Sequence, residues 1–390
     1  VSGISITAEL ALLSLSIWIV LLIGRGRFWR CRERDDRDWP PSEPAAWPPV
    51  VAVIPARNEA DILPQSLPSL LAQDYPGAFS VLLVDDSSDD GTHAVAQALA
   101  AAEPGRLEIV QGTALPPGWT GKLWALHLGV TRAAALALPP KYLLLTDADI
   151  AYDRDALRSL VLRAEARGHV LVSLMAKLRC HSLAERALVP AFIFFFQMLY
   201  PFAWVNRPER KIAAAAGGCM LVLRTALDDA GGIASIRGAL IDDCALAARL
   251  KLSGAIWLGL TERVRSVRPY PRFGDIRRMV ARSAYAQLHY SPWLLSGAVA
   301  GMVLTYLTAP LIAVFASGWG RAAAALAWLL IALSFWPVLR FYRLSLGWAP
   351  FLPAIAAAYI AFTLDSALQH LLGRGGMWKG RAQALASDRS

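Results

Sequence analysis

Cysteine is scarce: four residues in 390, Cys31, Cys180, Cys219 and Cys244, none at a paired spacing. That scatter excludes a disulfide framework and a cysteine metal site, and reads as reduced structural thiols in a cytoplasmic domain. There is no Walker A loop to power a pump. The few apolar spans also lack the repeat architecture that alternating access requires. The net charge of +9 comes without a helix-turn-helix, zinc-finger or aromatic RNA-binding pattern, so nucleic acid is not an expected partner. No small-residue cleavage site follows the first apolar run, and the next residues are basic, so a retained anchor is expected in place of a signal peptide.

Apolar residues, in contrast, are abundant at 56%, and they are unevenly spread. Ile4–Ile23 provides about 20 residues, roughly 30 Å as a helix, which matches a bilayer core. Arg25, Arg27, Arg30, Arg32, Arg34 and Arg37 follow it, so the positive-inside rule puts this flank in the cytoplasm, attracted to anionic lipid. Three further apolar segments lie near Leu294–Ala316, Ala322–Leu339 and Pro350–Leu372. Three full crossings would leave Arg374, Lys379 and Arg381 outside, against the charge rule, so one segment is open to a re-entrant or interfacial reading. Ala187–Val205 is also apolar, but Pro190, Gln197 and Pro201 weaken a straight span. It is expected either to lie in the membrane interface or to wall an acceptor site.

The expected organisation is an anchor at 1–24, a basic, proline-rich linker at 25–49 and a catalytic domain at 50–275. An interfacial helix at 276–292, membrane helices at 293–372 and a basic tail at 373–390 follow. Within the domain, strand-like runs at Val50–Ile54, Val81–Val84, Leu107–Val110, Tyr142–Leu145 and Val170–Leu174 alternate with amphipathic stretches. The alternation predicts an α/β domain with a mostly parallel sheet covered on both faces. Ligands of such sheets bind at the carboxyl ends of the strands.

Polar clusters sit at those ends: Pro55-Ala56-Arg57-Asn58-Glu59, Asp85-Asp86-Ser87-Ser88-Asp89-Asp90-Gly91-Thr92, Asp147-Ala148-Asp149 and Asp242-Asp243. Each taken alone is a common helix cap or solvated loop. Together they bring several negative charges to one rim, which is costly unless a cation or a donor-rich ligand compensates them.

The order PARNE, VDDSSDDGT, GWTGKLWAL, TDADI, AGGCMLVLR and IDD resembles the inverting glycosyltransferases of family 2, which have the GT-A fold. The resemblance covers roughly Val50–Arg282. More narrowly, GWTGKLWAL, AFIFFFQMLYPFAWV, ALIDDCALAARLK, RPY and WKGR look like the hopanoid-cluster (hopene-associated) glycosyltransferases. The resemblance implies a nucleotide-sugar donor, a UDP-sugar, bound by Asp85 and Asp86 with Pro55, Arg57 and Glu59 closing the pocket. It implies Mg²⁺ or Mn²⁺ held against the diphosphate by Asp147 and Asp149, and Asp243, beside Asp242, as the general base. Lys122 either offsets phosphate charge or is a solvated surface lysine. Gly217 and Gly218 either let the acceptor approach the backbone or mark a tight turn.

The Gln-X-X-Arg-Trp motif of processive members is missing from FGDIRRMVARSAYAQLHYSPW, which argues for transfer of one sugar. Arg278 or Arg282 is left either to contact the diphosphate or to form a basic stripe at the membrane, and His289 is given no chemistry. The implied acceptor is a membrane lipid, a hopanoid on the narrower resemblance, at a bacterial inner membrane with the catalytic domain facing the cytoplasm. A processive polysaccharide synthase and a silent nucleotide-binding scaffold are the competing readings.

Overall fold

Strands β1 (Val50–Ala56) and β4 (Tyr142–Leu145) are buried along their whole length, as their uninterrupted apolar runs require of strands covered on both faces. In this computed structural model the described residues are 6–37 and 43–373, with the strands Met377–Trp378 and Arg381–Ala382. Residues 38–42 of the expected linker, Arg374, Lys379 and the side chain of Arg381 lie outside the described residues. The chain divides into two units: Glu33–Arg179, Trp204–Pro269 and Gly376–Ser390 in one; Val1–Arg32, Cys180–Ala203 and Tyr270–Gly375 in the other.

The first unit is the α/β domain. Its further elements are α2 (Leu63–Leu71), β2 (Phe79–Asp85), α3 (Thr92–Ala102), β3 (Leu107–Gln111), α4 (Gly121–Ala134), β5 (Ile150–Tyr152), α5 (Ala156–Arg167) and β6 (Leu171–Lys177). After the excursion through α6 (Leu183–Leu199) and α7 (Phe202–Val205) come β7 (Met220–Leu223), α8 (Arg224–Asp229), α9 (Asp242–Ser253) and β8 (Ile256–Ser266). The sheet order is β3-β2-β1-β4-β7-β6-β8-β5. Pairings β1–β2, β2–β3, β1–β4 and β6–β8 are parallel, whereas β7 opposes β4 and β6, and β5 opposes β8. Thus only β5 and β7 run against the other strands. The sheet is mostly parallel but mixed, and the sequence reading had passed over β5, β7 and β8.

These directions fix the rim. The carboxyl ends of β1, β2, β4, β6 and β8 lie on the same side as the beginnings of β5 and β7. The register sets Ala56 opposite Asp85 and Leu145 opposite Met220. Helix α4 packs on this sheet through Gly129, where an added Cβ would come within 2.3 Å of Val53 and 2.9 Å of Val84. Only glycine allows that approach.

The second unit is helical. Beside α6 it holds α1 (Ile6–Gly24), α10 (Phe273–Ala281), α11 (Pro292–Met302), α12 (Thr308–Phe315), α13 (Trp319–Phe341) and α14 (Leu352–Leu371). Among the described residues, five helices are long and apolar enough to cross a membrane: Ile6–Gly24, Leu183–Val205, Pro292–Phe315, Trp319–Phe341 and Leu346–Leu371. The Leu183–Val205 stretch breaks into α6 and α7 at Tyr200-Pro201, since proline cannot donate the next helical hydrogen bond. The segment Cys180–Ala203 clusters with the helical unit, whereas sequence boundaries had kept it within the α/β domain. Arg25 of the basic flank caps α6, donating to the carbonyls of Met198 and Leu199 at 3.0 and 3.1 Å. Arg278 pairs with Asp275 of its own helix at 2.6 Å. All four cysteines are free thiols, Cys31 and Cys219 buried.

Candidate active site

The first part of the site is built by the loops after β1 and β2, which interlock. Asn58 and Ser87 take left-handed backbone angles (φ 53° and 54°), a conformation that short polar side chains tolerate best. Backbone N–H groups of one loop then meet side chains of the other: Asn58 N donates to Ser88 Oγ at 3.0 Å, Glu59 N to Thr92 Oγ1 at 2.8 Å, and Asp89 N to Asn58 Oδ1 at 3.0 Å. Arg57 donates to the carbonyls of Asp86 and Ser87, and Asp85 Oδ1 accepts from Ser88 N at 3.1 Å. Asp85 and Asp86 are both buried, and Asp85 also faces His93 Nδ1 at 3.3 Å. Pro55 lies in the buried last part of β1. The structure therefore brings Pro55, Arg57, Glu59, Asp85 and Asp86 together at adjacent strand ends.

The second part forms where the end of β4 meets the beginning of β7. Lys122 enters here because Thr120 caps α4, its hydroxyl accepting from Leu123 N, which sets Lys122 in the first turn. Its ammonium lies 2.9 Å from Asp147 Oδ1 and 3.0 Å from Asp242 Oδ2, with only 16% of the side chain exposed. Burial alone would lower the Lys122 pKa, but the carboxylates of Asp147 and Asp242 outweigh it and raise it. The surface-lysine reading is thereby corrected: this lysine neutralises the acidic rim.

Asp243 stands in the first turn of α9, where the helix dipole favours a carboxylate. Its Oδ2 accepts from Gly217 N at 2.9 Å and its Oδ1 from Cys244 N at 2.7 Å. Burial, reinforced by the charge of Asp242, raises its pKa to about 6; Lys122 and the two backbone donors offset part of the rise. A Cβ on Gly217 would sit 3.4 Å from Lys122 Nζ and 3.5 Å from Asp243 Oδ2, so this glycine leaves open the space between base and ammonium. Gly218 differs. A Cβ there would meet Ile150 at 3.1 Å and Ala176 at 3.4 Å, a tight approach to the strand packing, and the backbone is not in a left-handed turn. Lys122, Asp147, Gly217, Asp242 and Asp243 line one small cavity, with Met220 and Ile236 among its apolar walls.

Asp149 is placed apart from this cluster. Ser266 donates to its Oδ2 at 2.7 Å, and Arg268 Nε approaches the same oxygen at 3.4 Å. Arg268 also reaches both oxygens of Glu59 at 2.7 Å, tying the β1 loop to the Asp149 carboxylate. Sequence reasoning missed Ser266, Arg268 and His93 as site neighbours. Arg268 belongs to the quoted RPY, but no local pattern tells which carboxylates an arginine more than a hundred residues away will join.

Among the described residues, no three His, Cys, Asp or Glu side chains converge as a metal-ligand group. The donor types nevertheless fit a hard divalent cation, since Asp147 and Asp149 offer carboxylate oxygens at the rim. The Lys122 ammonium between Asp147 and Asp242 marks a position where positive charge is held.

Comparison with known proteins agrees with this geometry. Residues 51–231 match the profile of Glycosyl transferase family 2. Among solved structures, the mannosyltransferase PcManGT from Pyrobaculum calidifontis, in complex with GDP-Man and Mn²⁺, is similar at 18% identity and TM-score 0.57, over 92% of this chain and 99% of that one. Staphylococcus aureus TarS 1–349 in complex with UDP-GlcNAc matches at 13% identity and TM-score 0.42, over 84% and 92% of the two chains. Mannosyl-3-phosphoglycerate synthase from Rubrobacter xylanophilus matches at 19% and 0.35, over 62% and 75%. The last two TM-scores are too low to bear on the fold. The profile match and the sheet topology together establish that the chain carries a glycosyltransferase family 2 domain on a GT-A-like α/β fold and is a glycosyltransferase.

Proposed function

We propose that the enzyme transfers one sugar, with inversion, from a nucleoside-diphosphate sugar to a hydroxyl of a membrane lipid, with Asp243 as general base. The observation that carries this reading is Asp243 itself: a carboxylate with its pKa raised to about 6, fixed by two backbone donors beside an open glycine. A base of that strength is largely ionised at neutral pH yet able to hold a proton. As the acceptor oxygen attacks the anomeric carbon from the face opposite the leaving diphosphate, its proton passes to Asp243.

The interlocked loops around Pro55, Arg57, Glu59, Asp85 and Asp86 receive the nucleoside, with uracil as the base read from the resemblance. Lys122 faces the leaving phosphates. Asp147 and Asp149 would hold Mg²⁺ or Mn²⁺, which when bound neutralises charge on the leaving diphosphate. The Mn²⁺ and GDP-Man of the Pyrobaculum relative support a metal and a nucleotide-sugar. Five helices of membrane-spanning length support a lipid acceptor, anionic lipids around the basic flank and a multi-pass location in the bacterial inner membrane, its catalytic domain in the cytoplasm. The narrower resemblance makes that acceptor a hopanoid.

The test uses membranes containing the protein, radiolabelled nucleotide-sugars, Mg²⁺ or Mn²⁺ and a hopanoid-rich lipid extract. Label is expected in a small organic-soluble product, and to be absent with Asp243→Asn and after chelation. Label in a large aqueous polymer would overturn the single-transfer reading.

A further inference from the structure

A second cleft adjoins the catalytic cavity. It is open, about 490 Å³, and lined by small residues with Arg237 and Arg249 as its charged groups. Its wall is the turn that follows the 3-10 helix Ile233–Ile236, and Ile236 lines both this cleft and the cavity of Asp243 and Lys122. Both arginines are exposed. Neither guanidinium has a carboxylate within ion-pair distance or a hydrogen-bond acceptor among the described residues.

The placement is fixed from both ends. Thr120, the cap that positions Lys122, donates its N–H to the Arg237 carbonyl at 2.9 Å, so the cleft wall and the catalytic lysine share one tether. Ala245 and Arg249 lie one turn apart on α9, the helix whose first turn carries Asp242 and Asp243. From Asp243 to Arg249 the helix axis advances about 9 Å. The volume suits a headgroup-sized ligand. Guanidinium pairs select phosphate through charge-assisted, bidentate hydrogen bonds, and here Ala234, Gly238, Ala239 and Ala245 leave them space to converge.

We propose that this cleft is the acceptor's anion subsite: Arg237 and Arg249 bind the phosphodiester of a phospholipid headgroup whose free hydroxyl, a few bonds away, reaches Asp243. The inference rests on the lipid-acceptor reading and names an anionic polyol headgroup as the acceptor in place of a hopanoid. A phosphate that was itself the nucleophile would have to sit at Asp243, on the other side of Ile236.

The test measures binding of sn-glycerol 1-phosphate to the detergent-solubilised full chain, with UDP present at saturation, for the parent and for Arg237→Gln/Arg249→Gln. Binding is expected in the parent despite UDP, and at least about tenfold weaker in the double variant. UDP affinity should stay unchanged, which also reports that the variant is folded. Phosphatidylglycerol vesicles should recruit the parent's headgroup subsite and relieve glycerol phosphate binding by competition, whereas phosphatidylcholine vesicles should not. Equal binding by the variant, or no binding at all, would overturn the proposal. Displacement by UDP, or weaker UDP affinity in the variant, would assign the arginines to the donor's diphosphate and overturn it as well. Inorganic phosphate binding as tightly as glycerol phosphate would reduce the cleft to a free-phosphate site, against the headgroup assignment. If binding fails while label still enters an organic-soluble lipid, only this inference falls. If the arginine-dependent binding stands but no lipid is labelled, the lipid-acceptor reading falls and takes the acceptor role of this cleft with it.

Discussion

Replacing Asp243 with Asn removes the expected base while keeping the volume and one acceptor oxygen of the side chain. A positioned base contributes about 10²–10⁴ in rate, or roughly 3–5 kcal/mol of barrier, so transfer should fall by that factor with nucleotide binding retained. The pH profile carries the sharper test. Burial and then Asp242 raise the Asp243 carboxyl to about 6, so the parent's kcat/KM should rise about tenfold per pH unit below that value and level off above it. The variant's residual rate should show no such break.

The same shift has a stability sign. A carboxyl whose folded pKa lies above its unfolded value favours folding at low pH, and that contribution disappears as pH rises through about 6. Above pH 7 the ionised group therefore costs about 3 kcal/mol relative to an unshifted one. Asn avoids that cost but presents an N–H₂ to Gly217 N, losing one hydrogen bond worth about 1 kcal/mol. The variant should then be about 1–2 kcal/mol more stable than the parent at pH 7.5, with the gain shrinking below pH 6. Single-turnover transfer from labelled donor, UDP titration calorimetry and thermal unfolding across pH 5–8 together read all three effects. A variant that keeps more than a tenth of the parent's transfer, or a parent profile flat from pH 5 to 7, would refute Asp243 as the base.

Other substitutions test the supports of the site. Lys122→Met leaves Asp147 and Asp242 facing each other without their shared cation; transfer should be lost and thermal stability should fall by about 3–5 kcal/mol. Gly217→Ala puts a methyl 3.4–3.5 Å from both Lys122 and Asp243, and should raise acceptor KM or abolish transfer with UDP affinity unchanged. Gly129→Ala drives a Cβ into Val53 and Val84, and should cost about 1–3 kcal/mol in unfolding experiments by pushing α4 off the sheet. Arg268→Lys keeps the charge but not the fork that spans Glu59 and Asp149; the metal concentration for half-maximal transfer should rise several-fold with little change in thermal midpoint.

The elements with strong local signals were legible in the sequence. β1, β2, β3 and β4 carry apolar runs between turn residues, and the polar clusters follow the ends of β1, β2 and β4. β5 is three residues long and β7 four, too short for periodicity to register. β8 runs through a buried Leu258–Thr261 stretch into the charged residues Glu262, Arg263 and Arg265, which interrupt its apolar pattern. Within the site, the residue types of Asp147, Asp242 and Asp243 were visible, but their pairing was not. Lys122 lies 25 residues from Asp147 and 120 from Asp242, and only the sheet topology makes the three neighbours. Asp147 and Asp149 were visible as two carboxylates a residue apart, but the contacts each makes were not. Here the turn after Asp147 sends Asp149 toward Ser266 and Arg268.

The reversal of one strand explains why donor and acceptor chemistry share a rim. In a wholly parallel sheet, the segment preceding β7 would lie at the opposite edge, away from the ends of β1, β2 and β4. Because β7 is antiparallel to β4, with Leu145 opposite Met220, the chain entering β7 passes the Asp147 loop and brings Gly217 within hydrogen-bond distance of Asp243. The parallel half of the sheet thereby supplies the loops of the nucleotide end, and the reversed strand supplies a backbone N–H that orients the base. Lys122, on the helix that crosses back over β1 and β2, closes the circuit between them. An acidic rim of this density is stable because that lysine lies within it, and the sequence clusters Asp147-Ala148-Asp149 and Asp242-Asp243 acquire one function only through the strand that runs the other way.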